Sequence, residues 1–208
     1  MLKKSLFVLS FTTLSSTAFA APVANLIVTG SITPPTCTVN GQEEVDVNYE
    51  FDISPGLFPA SGNLTLTEQV KPIEVVCDAT TYLSFTTADN RAGTASTSAI
   101  TNFGLGTYGE DNTKVGFYTI STRNATVKAS EDATEKNVGI LNGTAYATTA
   151  TIDTTKTAAW ATSTTALSAG KVFAADFAVK PTINSVMKNT AGDAKLDGHA
   201  VLTFAFGL

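Results

Sequence analysis

An all-β fold is what this sequence predicts, and three observations lead there. Threonine supplies 35 of 208 residues and apolar residues 43%, a composition rich in β-branched side chains that suit a pleated sheet. Charged residues are only 15%, against about 25% in ordinary soluble domains. Several short stretches alternate apolar with polar residues and are separated by Pro, Gly, Asn or Asp, the pattern of a β-sandwich. The length suits a single domain. A formal net charge of −5 leaves no basic face for DNA or RNA.

The first 20 residues read as a cleaved secretory signal. Lys3 and Lys4 precede an apolar run through Leu6, Phe7, Val8 and Leu9, and Ala18-Phe19-Ala20 has the small residues a signal peptidase requires. Ser10, Thr12, Thr13, Ser15, Ser16 and Thr17 interrupt the run, so it falls short of the roughly 20 apolar residues of a membrane span. The mature chain is expected to run from Ala21 to Leu208 as one domain. Export gives Cys37 and Cys77 an oxidising compartment, which predicts a disulfide between them. Closing a loop of that length stabilises a fold by up to about 4 kcal/mol. Two cysteines and the remote His199 do not make a four-ligand zinc set, so no metal and no cofactor are expected.

Ala24, Leu26, Val28, Gly30 and Ile32 share one phase of a two-residue period, a strand signal that Pro34-Pro35 stops. Val45, Val47, Tyr49 and Phe51 alternate with Asp46, Asn48 and Glu50, predicting a second strand with one wet face. Val70–Cys77 sets Ile73, Val75 and Cys77 against Pro72, Glu74 and Val76, which points Cys77 into the core. Tyr82–Phe85 continues as a strand. Asp89-Asn90-Arg91-Ala92-Gly93 has turn chemistry. Lys114–Thr122 is apolar enough to be buried on both faces and is expected centrally. The Thr- and Ala-rich stretch 144–169 around Trp160 has no clear period. Val172–Val179 is a strand before Pro181. The last strand places Leu202, Phe204, Phe206 and Leu208 on one phase.

No catalytic set stands out. His199 is the sole histidine, and the pairs Glu43-Glu44, Glu110-Asp111 and Glu131-Asp132 lie in polar, turn-like stretches. Hydrolysis by a triad or by paired carboxylates needs such groups gathered in a cleft. Tyr108, Tyr146 and Trp160 offer stacking faces for a sugar, so a secreted carbohydrate-binding adhesin domain is the alternative, and a hydrolase a weaker one.

The regular alternation at both ends of the mature chain is unusual, because termini commonly fray. A strand donated to a neighbour's sheet would use it through β-augmentation. Gly30-Ser31-Ile32 leading through Thr33-Pro34-Pro35-Thr36 to Cys37, the second cysteine in Val75-Val76-Cys77-Asp78, and the end Phe204-Ala205-Phe206-Gly207-Leu208 resemble subunits of bacterial chaperone–usher fimbriae. The pattern with Asp89–Gly93 and Gly198–Phe204 is most similar to the beta-type fimbrial major subunit family.

The resemblance implies an incomplete immunoglobulin-like β-sandwich with an N-terminal donor segment at 21–32, and no enzyme activity. Leu26, Val28, Gly30 and Ile32 would be the donor positions. Leu202, Phe204, Phe206 and Leu208 would line an acceptor groove and meet the chaperone. The implied partners are a periplasmic pilus chaperone, an outer-membrane usher, other copies of the chain in a fibre, and a host glycan or surface receptor. The implied location is the cell surface, reached through the periplasm, and the implied role is a structural subunit supporting adhesion.

Overall fold

The computed structural model describes residues 23–190 and 194–207. The expected signal segment 1–20 and Leu208 lie outside the described residues. The chain divides into two units, 1–33 and 34–208.

In the first unit, residues 23–33 form no strand. Leu26 and Val28 are 90% and 96% exposed, and Ile32 is fully so. The strand expected at 24–32 is therefore absent. Alternation suits a side chain to a sheet face, but a strand exists only when its N–H and C=O groups find a ladder.

The second unit contains, among its described residues, fifteen strands: β1 (Cys37–Val39), β2 (Leu64–Thr65), β3 (Gln69–Asp89), β4 (Phe103–Gly104), β5 (Thr107–Tyr108), β6 (Thr113–Lys114), β7 (Gly116–Lys128), β8 (Lys136–Asn137), β9 (Gly139–Asn142), β10 (Ala145–Ala147), β11 (Ala150–Thr151), β12 (Ala158–Ser163), β13 (Ala166–Leu167), β14 (Ala169–Ile183) and β15 (Ala200–Phe206). Thirteen form one curled antiparallel sheet whose main path runs β10-β9-β12-β3-β14-β7-β11, while β5 and β6 pair as a separate ribbon. The all-β expectation holds at this level.

β3 explains the curl. Its first part pairs with β14 and β1, and its last part pairs with β12 and β15. Ile73, Val75 and Cys77 are buried in the first part and Leu83, Phe85 and Thr87 in the second, whereas none of residues 78–82 is buried. The exposed middle marks where the strand passes from one half of the sheet to the other. Both halves then contribute to one apolar core. At its centre the Phe85 ring lies 5.6, 5.7 and 5.8 Å from the rings of Trp160, Phe177 and Phe204. The Trp160 indole N–H donates to the Ala174 carbonyl at 3.0 Å, which satisfies its polar atom inside the core.

The predicted disulfide is present, joining Cys37 and Cys77 directly opposite one another on β1 and β3. The predicted turn follows β3: Asp89 accepts the Arg91 N–H through Oδ1 and the Gly104 N–H through Oδ2, each at 2.9 Å. Three expectations need correction. β14 continues through Pro181 to Ile183, because the Pro181 carbonyl still accepts the Leu66 N–H. β7 buries one face fully, but Phe117, Thr119 and Ser121 on the other are half-buried. The strand expected over Val45–Phe51 is absent: the stretch alternates in burial as a strand would, yet it forms none.

Candidate functional site

Two extended segments of the second unit have a main-chain edge that no described residue pairs with. β15 pairs with β3 along one edge only. The Asn90 N–H donates to the His199 carbonyl and the Gly207 N–H to the Tyr82 carbonyl. Antiparallel pairing alternates residue by residue, so the odd-numbered residues of β15 bond to β3. The main-chain groups of Leu202, Phe204 and Phe206 consequently face away from it. Across 43–53 no main-chain to main-chain hydrogen bond is made with a described residue. Side chains hold that segment instead: the Tyr49 hydroxyl donates to the Phe177 carbonyl at 2.9 Å, and the Gln69 side-chain amide donates to the Glu50 carbonyl.

Between these segments and the sheet lies a groove of about 1280 Å³. The way each element meets it reveals its shape. β14 presents alternate residues, Phe177, Val179, Pro181 and Ile183, and β7 presents Tyr118 and Ile120, as a sheet seen face-on must. By contrast, every residue from 43 to 53 and from 198 to 204 borders the groove. Consecutive residues line a space only when a chain is seen edge-on. The groove thus has an apolar floor and two main-chain edges with hydrogen-bonding groups to offer.

The far end of the groove is braced by close packing and charge. Gly198 passes over Tyr118 so closely that a Cβ there would lie 2.8 Å from the ring. Arg91 grips Asp197 with two N–H donors at 2.7 and 2.8 Å. Its hydrogen bonds hold the Asp197 carboxyl below the usual carboxylate range, and Asp197 in turn raises Arg91. Burial, reinforced by Asp89, pushes the Tyr118 phenol well up. Burial and then Asp176 push the Tyr49 phenol up to about 12.

Of the sequence-predicted positions, Leu202, Phe204 and Phe206 line the groove, with the first two half-buried and Phe206 45% exposed. Leu208 lies outside the described residues. Cys37 reaches the groove's near end. Leu26, Val28, Gly30 and Ile32 are exposed, and nothing lies within 4 Å of where a Gly30 Cβ would stand. Sequence reasoning missed the floor residues of β14 and β7, and it missed that 43–53 is an edge. The acidic alternation Glu44, Asp46, Glu50, Asp52, broken only by Asn48, was the available signal, since charge is how exposed strand edges are commonly guarded.

The residues singled out for other chemistry are scattered. Trp160 is buried in the core and unavailable for stacking, while Tyr108 and Tyr146 are half-buried. His199 is exposed, with Nδ1 3.3 Å from the Asn90 side-chain amide. Glu110, Asp111, Glu131 and Asp132 are exposed. No model of a known protein family matches the chain, and no curated protein matches its sequence.

Proposed function

We propose that this chain is a structural subunit of a surface fimbrium of the chaperone–usher kind, polymerised by strand donation between copies. In this reading the curled sheet is an immunoglobulin-like sandwich that lacks one strand. The observation that carries it is the groove bounded by two main-chain edges over an apolar floor.

Segment 21–32 of a second copy is the occupant. It bears no charged side chain across Ala21–Thr33, and it exposes its large apolar side chains at Leu26, Val28 and Ile32. Its donor stretch Leu26–Ile32 is seven residues long, the length of β15, at about 3.3 Å per residue. Burying each of Leu26, Val28 and Ile32 would contribute about 1.5–3 kcal/mol, and the free N–H and C=O groups of β15 would gain partners. Contacts of this head-to-tail kind do not close, so they propagate as a filament. Before assembly the groove is an aggregation hazard, which is the physical reason for a chaperone to fill it and an usher to exchange it. Adhesion to a host surface follows from display on such a fibre.

The test is a synthetic peptide copying Ala21–Ile32, titrated into the partner-free protein. Saturable binding that suppresses aggregation is expected, together with loss of binding when Leu26 and Val28 of the peptide become Asp. Equal binding of both peptides, or of neither, removes the proposal. Deleting Pro22–Thr29 should leave a folded chain that no longer enters fibres.

A further inference from the structure

Strand donation, on which this inference rests, raises the question of what the body of the second copy touches. The end of the groove where β15 begins supplies a surface for it. Gly198, just before β15, lies over Tyr118, which stands opposite Pro181 on β14. At that end β14 runs through Ile183 into a short 3-10 helix, Ser185–Asn189, opened by Asn184. Segment 43–53 leads into another, Pro55–Leu57, opened by Ser54, whose hydroxyl accepts the Gly56 N–H at 3.4 Å.

The two helices pack against each other. Polar bonds tie their surroundings together: the Ser185 N–H donates to Asn63 Oδ1 at 3.1 Å, and the Lys188 ammonium donates to the Pro59 carbonyl at 3.4 Å. Phe58 and Met187 belong to the core and, with Pro55, line the groove. Leu57 and Val186 do neither, and they keep 57% and 50% of their surface in water. No residue from Ile53 to Thr67 is charged, although the stretch just before it carries five acids. Single exposed apolar residues are ordinary. Two of them on adjoining, braced helices in a charge-free stretch have the composition of an interface core.

The direction of the donated strand decides whether a second copy reaches them. Every strand pairing among the described residues is antiparallel, and that pairing is the more stable kind. A strand added antiparallel to β15 finishes where β15 begins, beside the two helices. Only Thr33–Thr36 separate Ile32 from Cys37 in the chain, a reach of at most about 18 Å when fully extended. The donor's body is therefore held against this end of the groove.

We infer that Leu57 and Val186 form a docking platform for the body of a second copy of this chain, a contact that adds to the donated strand and lies outside the groove.

The experiment uses the full-length oxidised chain. Carbene footprinting reads Leu57 and Val186 in the monomer, in the monomer saturated with peptide 21–32, and in the self-associated form. A severalfold drop in labelling is expected in the self-associated form alone. Equal labelling in all three overturns the inference, because the platform is then bare in the assembly. A drop with peptide alone also overturns it, because the strand itself then covers the platform. Both readings use wild type, so they stand even if a variant fails to fold. The double variant Leu57→Asp, Val186→Asp should bind the peptide within about twofold of wild type and self-associate at least about tenfold more weakly. Self-association of that variant at wild-type strength overturns the inference. If wild type neither self-associates nor binds the peptide, strand donation itself falls. If it does both and the platform's labelling does not change, only the platform's role falls.

Discussion

The last strand and segment 43–53 border the same groove, carry the same alternating pattern, and are held in different ways. Ala200–Phe206 has a continuous ladder to β3 on one side. Segment 43–53 has none and leans on the sheet through Tyr49 and Gln69. The difference teaches that alternation chooses the face a side chain takes, whereas pairing is granted by a neighbour. Residues 23–33 are the limiting case, alternating but without a ladder.

The largest effect should come from undermining the paired side. Phe85→Ala removes the ring that joins Phe204 to Trp160 and Phe177, and such a deletion costs about 3–5 kcal/mol. Chemical denaturation should show it as a large drop in midpoint. A loss under about 1 kcal/mol would mean that the last strand does not depend on this core.

Next in size is the anchor of the unpaired side. Cys37→Ser frees β1, which leads directly into 43–53, and should lower stability by about 2–4 kcal/mol, with the gain in hydrogen exchange concentrated around β1 and its partner residues 75–77. If exchange instead rises equally in β15, the two edges are not independently held and the comparison breaks.

Tyr49→Phe is finer. It deletes the hydrogen bond to the Phe177 carbonyl at a cost of about 1 kcal/mol. Because folding raises the Tyr49 phenol from about 10 to about 12, its stabilisation is fully present below about pH 10 and is lost as pH climbs through about 12. Tyr118 is raised in the same sense. Alkaline titration of the variant should therefore show a shallower decline than wild type above about pH 10. An identical decline would place the titration elsewhere.

The smallest effect is expected from Asp197→Asn. The partners of this ion pair keep 35% and 61% of their side-chain surface in water, and exposed pairs contribute little. Folding lowers the Asp197 carboxyl, so its contribution is present above the ordinary carboxylate range and disappears as pH falls through it. The acid limb of stability should flatten slightly, while the midpoint at neutral pH stays almost unchanged.

Local pattern made much of this legible beforehand. The direction of Cys77, the disulfide, the Asp89–Gly93 turn and the inward phase of Leu202 and Phe204 follow from period, cysteine count and turn chemistry, whereas Phe206 on the same phase stays 45% exposed. The floor of the groove does not, because Phe177, Ile183 and Tyr118 become neighbours only through pairings between β14 and β7. The 144–169 stretch hid its strands because small residues carry the contacts: Ala158, Ala159 and Ala161 are fully buried beside Trp160, and alanine gives little periodic contrast. The missing ladder at 43–53 was illegible for a related reason. Nothing in a strand's own residues states whether a neighbour exists.

Hydrogen exchange on β15 tests the central claim most directly. In the partner-free protein the amides of Val201, Thr203 and Ala205, which face β3, should be protected, and those of Leu202, Phe204 and Phe206 should exchange freely. Adding the Ala21–Ile32 peptide should protect the second set and leave the first unchanged. Protection of both sets before any peptide is added, or no change in the second set at saturating peptide, would contradict the account.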